Sequence, residues 1–429
     1  MKHDSEFSNH SMRAAFGCWV AFLLGPNVMV AATNANFMDA LIKDFGASYS
    51  EVSGAIAIAP LVVAFLVPIA GQLIDRFGAR RVLIPGVMIF AGAFLAMSQV
   101  ISIWQYALLQ IVLSVGASLN SSVGYAKVVS SWFDRNRGLV LGTCVAFGAG
   151  IGQMSMPKIS QWLIDTYGWR GGYQGISLII FAVALPLIFI FVRQPKGVKQ
   201  TPLDHNKASD VKVLPGLSVP ESLKTLSFYQ VFFAIMFASM TLIGTLSHAR
   251  ILFEEHGFSA NIATTAISLS FAGVLIGEFS SGFLVDRFPT PRIILPYFCI
   301  ALLGVLISHT TSGSEALLML GCLMMGMGLG GEIGQNAYMI SRYFGLKSFG
   351  TLYGLTFGAS NLGIAIGIFM MGKVHDLTGS YDVMVYIFGT TMTISVLCIA
   401  TLGKFRFLLK PEPAKEEQPA NNPLVEKEC

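Results

Sequence analysis

Gly71-Gln-Leu-Ile-Asp75-Arg76-Phe77-Gly-Ala-Arg80 closes one long apolar run, and Gly282-Phe-Leu-Val-Asp286-Arg287-Phe288-Pro-Thr-Pro-Arg292 closes another, 211 residues further on. A second pair, Phe147-Gly148-Ala149 and Phe357-Gly358-Ala359, repeats at an offset of 210. Two separate matches at nearly one offset imply a duplicated unit about half the chain long. In both copies a glycine, an aspartate and arginines sit where a helix would leave the hydrocarbon and meet water. Glycine lets the helix end approach a neighbour closely. The aspartate can pair with basic groups or with a helix N-terminus, and the arginines hold the loop on one side of the membrane.

Outward from these stretches the chain is a series of apolar runs. Of 429 residues, 54% are apolar and 12% charged, about half the charge of a soluble domain. Each run of roughly 20 residues can cross a ~30 Å hydrocarbon core as a helix. The runs predict twelve helices, at 14–40, 51–75, 82–100, 104–132, 138–165, 173–193, 227–250, 261–286, 292–309, 315–341, 347–371 and 383–405. A cleaved leader is not expected, because the first run goes on to about Met38 with no small-residue cleavage site. The polar, Pro/Gly/Lys-containing stretch after Arg193 reads as a linker. The predicted organisation is therefore an N-terminal six-helix bundle (1–192), a cytoplasmic linker (193–226), a C-terminal six-helix bundle (227–408) and a disordered tail (409–429).

Charge sets the expected orientation. With the N-terminus inside, 22 of the 28 Lys and Arg fall on the cytoplasmic side. Four fall outside (Lys43, Arg170, Arg250 and Lys373), and Lys127 and Lys158 lie within helices. Both termini are thus expected in the cytoplasm of a cell-membrane protein. The net charge of +4 gives no sign of a nucleic-acid partner. The six cysteines show no CxxC pair and no metal-ligand spacing, so neither metal nor cofactor is expected. No GxxxxGK[ST] loop is present to bind a nucleotide, and no nucleophile-elbow or HExxH signature suggests an enzyme.

The stretch after helix 2 resembles the loop 2–3 signature of the major facilitator superfamily, with a weaker second copy at 282–292. Trp132-Phe133-Asp-Arg135-Asn-Arg137-Gly138-Leu, Gly148-Ala-Gly150-Ile-Gly152 and Gly168-Trp169-Arg170 resemble its monocarboxylate transporter and oxalate–formate antiporter branch. Ser341-Arg342-Tyr343-Phe344-Gly345-Leu and Tyr353-Gly354 are similar to the second half of the same branch. The resemblance implies two pseudosymmetric six-helix bundles working by alternating access. Two departures stand out. The branch's helix 8 arginine aligns with Glu278, and the antiporter's helix 11 lysine aligns with Ser360. Both expected cations are missing, which argues against a dicarboxylate such as oxalate.

Ionisable residues at membrane depth are costly and are usually functional. Glu278 lies eight residues before Asp286 and Glu332 ten before Arg342; both are candidate proton-coupling groups, and each could instead be a satisfied structural carboxyl. Lys127 is the candidate anion partner, unless it snorkels to the interface. Candidate substrate contacts are Lys127, Asn27, Asn34, Asn120, Tyr125, Gln153, His248, Glu278, Gln335, Asn336, Ser360 and Asn361. Asp75, Arg76, Arg80, Asp286 and Arg287 are expected to gate. The expected function is proton-coupled transport of a small organic monocarboxylate by a functional monomer. The alternative is carriage or efflux of a neutral or cationic compound with Glu278 as counter-ion.

Overall fold

Crossing 1 is not the single helix that its apolar run predicts. It consists of α1 (Asn9–Leu23), α2 (Pro26–Ala31) and α3 (Asn34–Phe45). Pro26 causes the first break: it carries no N–H, and its ring would collide with a carbonyl one turn back. This is a computed structural model, and it describes residues 7–133, 140, 142–192, 216–288, 290–345 and 347–407. At Asp75, Val123, Ser130 and Asp286 it describes the backbone alone. Most of the expected linker, the whole expected tail and the Arg135–Arg137 motif lie outside the described residues.

Crossings 2 and 3 are α4 (Tyr49–Phe77) and α5 (Ala79–Met97), and crossing 4 is split into α6 (Ile103–Leu119) and α7 (Ser122–Trp132). Helix α8 (Gly150–Ile179) follows a π-type turn at Cys144–Ala149, and a second such turn at Ile180–Ala184 joins it to α9 (Leu185–Phe191). The apolar stretch Cys144–Phe191 runs 48 residues. At 1.5 Å per residue that is about 72 Å, more than twice a bilayer core. Gly168 divides it: at φ 72° and ψ 173° the backbone leaves the helix in a conformation that suits glycine. Eleven apolar helical stretches among the described residues therefore make twelve crossings.

A short helix, α10 (Val219–Leu223), precedes crossings 7 to 12. These are α11 (Leu226–Glu255), α12 (Ala260–Arg287), α13 (Leu295–Thr310), α14 (Glu315–Phe344), α15 (Phe349–Thr378) and α16 (Asp382–Ala400). With an even number of crossings, Asn9 and Ala400 lie on one side, called the termini side below. On that side Leu217 N–H donates to Phe344 O at 2.8 Å and ties α10 to the end of α14.

Within the second half the closest pairings are α12 with α14 and α11 with α15. Glycines permit the first. A Cβ on Gly273 or Gly277 of α12 would fall against the carbonyl of Leu323 or Met327, and one on Gly326 or Gly330 against that of Ser270 or Val274. Without a hydrophobic drive between helices in lipid, such close backbone contact supplies the packing. The two halves meet along α4 with α15 and along α8 with α12. The repeat seen in the sequence thus forms two six-helix bundles, with α4 and α15, its second and eleventh crossings, running antiparallel across the seam.

Candidate functional site

The second half assembles a polar cluster around a buried carboxyl. Glu332 of α14 is 3% exposed. One of its carboxylate oxygens accepts a hydrogen bond from Ser239 Oγ of α11. Ser239 Oγ also lies 2.8 Å from Ser360 Oγ of α15. Three crossings, 7, 10 and 11, therefore meet through Glu332, Ser239 and Ser360. The other oxygen of Glu332 has no protein partner among the described residues, and neither has Gln335 Oε1 one helical turn on. Asn336 Oδ1 accepts from Thr356 Oγ1 at 3.0 Å, while Asn361 donates to Phe357 O in its own helix at 2.9 Å. Leaving a carboxylate oxygen buried without a donor is costly, which makes this cluster the candidate site of the second half.

The first-half candidates are arranged differently. Asn120 ends α6 and Tyr125 lies in α7; both are buried, and the tyrosine hydroxyl donates to Asn120 Oδ1. The side chains bridge the break in crossing 4 and satisfy one another. Asn27 is exposed just past the break at Gly25, and Asn34 and Gln153 are half-buried. Broken helices of this kind mark substrate paths in transporters, since irregular backbone is tolerated only where it is buried in protein or lines a cavity. Lys127 Nζ is 3.4 Å from Ile74 O, at the termini-side end of α4. It therefore sits against its own half. Glu278 is half-buried, and its backbone lies against Gly330 and Gly334 of α14.

His248 is fully buried and has both ring nitrogens engaged. Nδ1 is 2.9 Å from the Tyr381 hydroxyl, and Nε2 is 3.0 Å from Ser53 Oγ of α4. That geometry joins the two halves and leaves no ring nitrogen free for a ligand, contrary to the expectation of substrate contact. Other contacts across the seam lie on the same far side. Arg250 Nη1 reaches Gln161 Oε1 at 2.5 Å and Asn36 O at 3.3 Å, and Lys158 Nζ is 3.4 Å from Asn261 Oδ1. Nothing in the sequence singles out Ser239, Asn36 or Gln161, which are ordinary polar residues in apolar helices, and by sequence Arg250 is only one of the outer charges.

Of the expected gating residues, the side chains of Asp75 and Asp286 lie outside the described ones. Arg80 donates to Phe189 O at 2.8 Å and stacks over the Phe189 ring at 4.7 Å. Arg76 lies over Phe77 at 5.3 Å, and Arg287 is exposed. The Gly168-Trp169-Arg170 motif has a clear local role. Gly168 makes the turn, Trp169 packs edge-on against Tyr173, and Arg170 pairs with Asp44 at 3.0 Å.

Twelve crossings in two bundles, a polar cluster between helices of the second half and hydrogen bonds across the seam on the far side are the architecture of a membrane carrier. The chain matches the Major Facilitator Superfamily over residues 20–368, with a second, overlapping match at 230–427. It belongs to that superfamily, and it is a transporter rather than an enzyme. Monocarboxylate transporter 4 of Gallus gallus is 25% identical over 420 residues, covering 93% of this chain and 84% of that protein. The 4-hydroxybenzoate transporter PcaK of Acinetobacter baylyi is 24% identical, covering 84% of this chain and 87% of that protein. The inward-open xylose transporter XylE from E. coli superposes with a TM-score of 0.71 at 14% identity, covering 92% of this chain and 97% of that one; this likeness concerns the fold.

Proposed function

We propose that the protein carries a small organic monocarboxylate together with a proton across the cell membrane, with both termini in the cytoplasm. The observation that carries this reading is Glu332: a buried carboxyl held by one serine hydroxyl, with its second oxygen unpartnered by protein among the described residues. A bare charge there is costly, and a proton relieves it. Ser239 then holds the carboxyl, and Ser360 in turn bonds Ser239, so that crossings 7, 10 and 11 are linked. Glu278, half-buried one helix away, is the second candidate for coupling. Lys127 supplies the first half's positive charge for an anion. The likeness to a monocarboxylate transporter and a 4-hydroxybenzoate transporter, both named for carboxylates, supports the same substrate class.

The test is uptake of a labelled carboxylic-acid panel into proteoliposomes, with and without an imposed pH gradient. Accumulation of a monocarboxylate driven by the gradient alone is the expected result. The same buried carboxyl would also suit a cationic cargo. Uptake of organic cations, with no response to any carboxylate, would overturn the monocarboxylate reading in favour of that one.

A further inference from the structure

We propose that Asp376 is the latch of the far side: its carboxylate caps the N-terminus of α4 from the opposite half, and its release opens that side. The first peptide N–H groups of any helix have no partner within the helix. In α4 the helix's own first turn and cap satisfy only the third. Ser48 Oγ accepts from Glu51 N–H at 3.2 Å, and Glu51 returns the bond to Ser48 N–H at 2.8 Å. The N–H groups of Tyr49 and Ser50 point instead at Asp376 of α15. They donate to Oδ1 at 2.9 Å and to Oδ2 at 2.8 Å. An anion at this end of a helix is also favoured by the aligned peptide dipoles.

Neighbouring residues are shaped for the same contact. Gly372, one turn before Asp376, lies so close to α4 that a Cβ there would meet Ser53 Oγ and the Tyr49 backbone. His375, beside the latch, is 2.7 Å from Glu255 and faces the Tyr49 ring with centroids 3.8 Å apart. The last turn of α15 thus grips the first turn of α4 through a carboxylate, a ring and a glycine seat. Alternating access requires the far side to open, and these bonds span the two bodies that must part. Water can replace both partners once they separate, so the contact biases the equilibrium without locking it. The latch does not depend on which cargo is carried.

The test uses the full-length protein with its native cysteines replaced and spin labels at Lys43→Cys and Glu315→Cys. Both positions are exposed at the far-side ends of opposite halves. Asp376→Asn turns one acceptor into a donor facing an N–H. It should raise the population of the longer distance about tenfold relative to the shorter, while Asp376→Glu, which keeps the charge, should resemble the parent. A second pair covers failure of Asp376→Asn to fold. Ser48 has ψ 161°, which accepts a following proline, and proline is well suited to the first helical position. Tyr49→Ala removes only the ring, whereas Tyr49→Pro removes the ring and the N–H. Tyr49→Pro should open the far side more than Tyr49→Ala. Equal distance distributions for that pair, or an unchanged distribution in folded Asp376→Asn, would overturn the latch.

Discussion

Glu332 lies buried in the membrane interior, where one serine hydroxyl donates to its carboxyl. Its place among the glycines of Gly-Leu-Gly-Gly-Glu-Ile-Gly fits equally well a packed structural carboxyl or a working one. In the fold Ser239, 93 positions away, holds one oxygen with its hydroxyl, while the other lacks a protein donor among the described residues. Glu332→Gln keeps the shape and removes the titration. It should abolish accumulation driven by a pH gradient while sparing exchange between two loaded compartments, and counterflow assays separate the two. Ser239→Ala should lower gradient-driven uptake by about tenfold or more, the scale of one hydrogen bond to a charged group, and Ser239→Thr should restore it. Uptake unchanged in Ser239→Ala would remove the serine from the site. Lys127 makes the complementary case on the first half. If it pairs with the anion, Lys127→Ala should eliminate carboxylate binding and Lys127→Arg should only weaken it. Full transport by Lys127→Ala would leave the side chain as an anchor to the end of α4.

At the scale of elements, hydrophobic run length located the crossings well, because the bilayer thickness fixes how many apolar residues a helix needs. It did not reveal the interruptions. Pro26 stands at one break, yet prolines also occur inside the continuous α4, at Pro60 and Pro68, so proline alone does not announce a break. At the break after Leu119 no proline is present, and Tyr125 donates across it to Asn120 Oδ1. Residue types at depth are legible in the sequence: the fold sets Glu332, Gln335 and Asn336 on one helix and links Glu332 to Ser360 through Ser239. His248 was misplaced because its partners, Ser53 and Tyr381, are far away in sequence. The α12–α14 contact yields a stability prediction. Gly330→Val would push a branched side chain into the Val274 carbonyl, and overpacking of this kind costs about 1–3 kcal/mol. Thermal unfolding in detergent should shift downward, whereas Gly358→Val, with open space around its Cβ position, should change it little.

For the whole molecule, the charge bias makes a topological prediction. A cysteine introduced at Ser209 in the central linker should resist a membrane-impermeant thiol reagent in intact cells and react once the membrane is opened. Labelling from outside would invert the orientation, and with it the assignment of the far side to the exterior. The two bundles also differ in how their helices are broken. Crossings 1 and 4 are each built from shorter helices, whereas their counterparts, crossings 7 and 10, are single helices of 30 residues.

That difference has a consequence for how the backbone breathes. An uninterrupted helix gives up its amide protons to solvent only when several turns unravel together, whereas a break leaves adjoining amides one short opening from exchange. In heavy water the peptides around Gly25, Thr33 and Asn120 should therefore take up deuterium early, and those spanning Glu332 late. A cargo that settles against the broken helices would slow the first group and leave the second untouched, so the isotope clock would report which half closes around it.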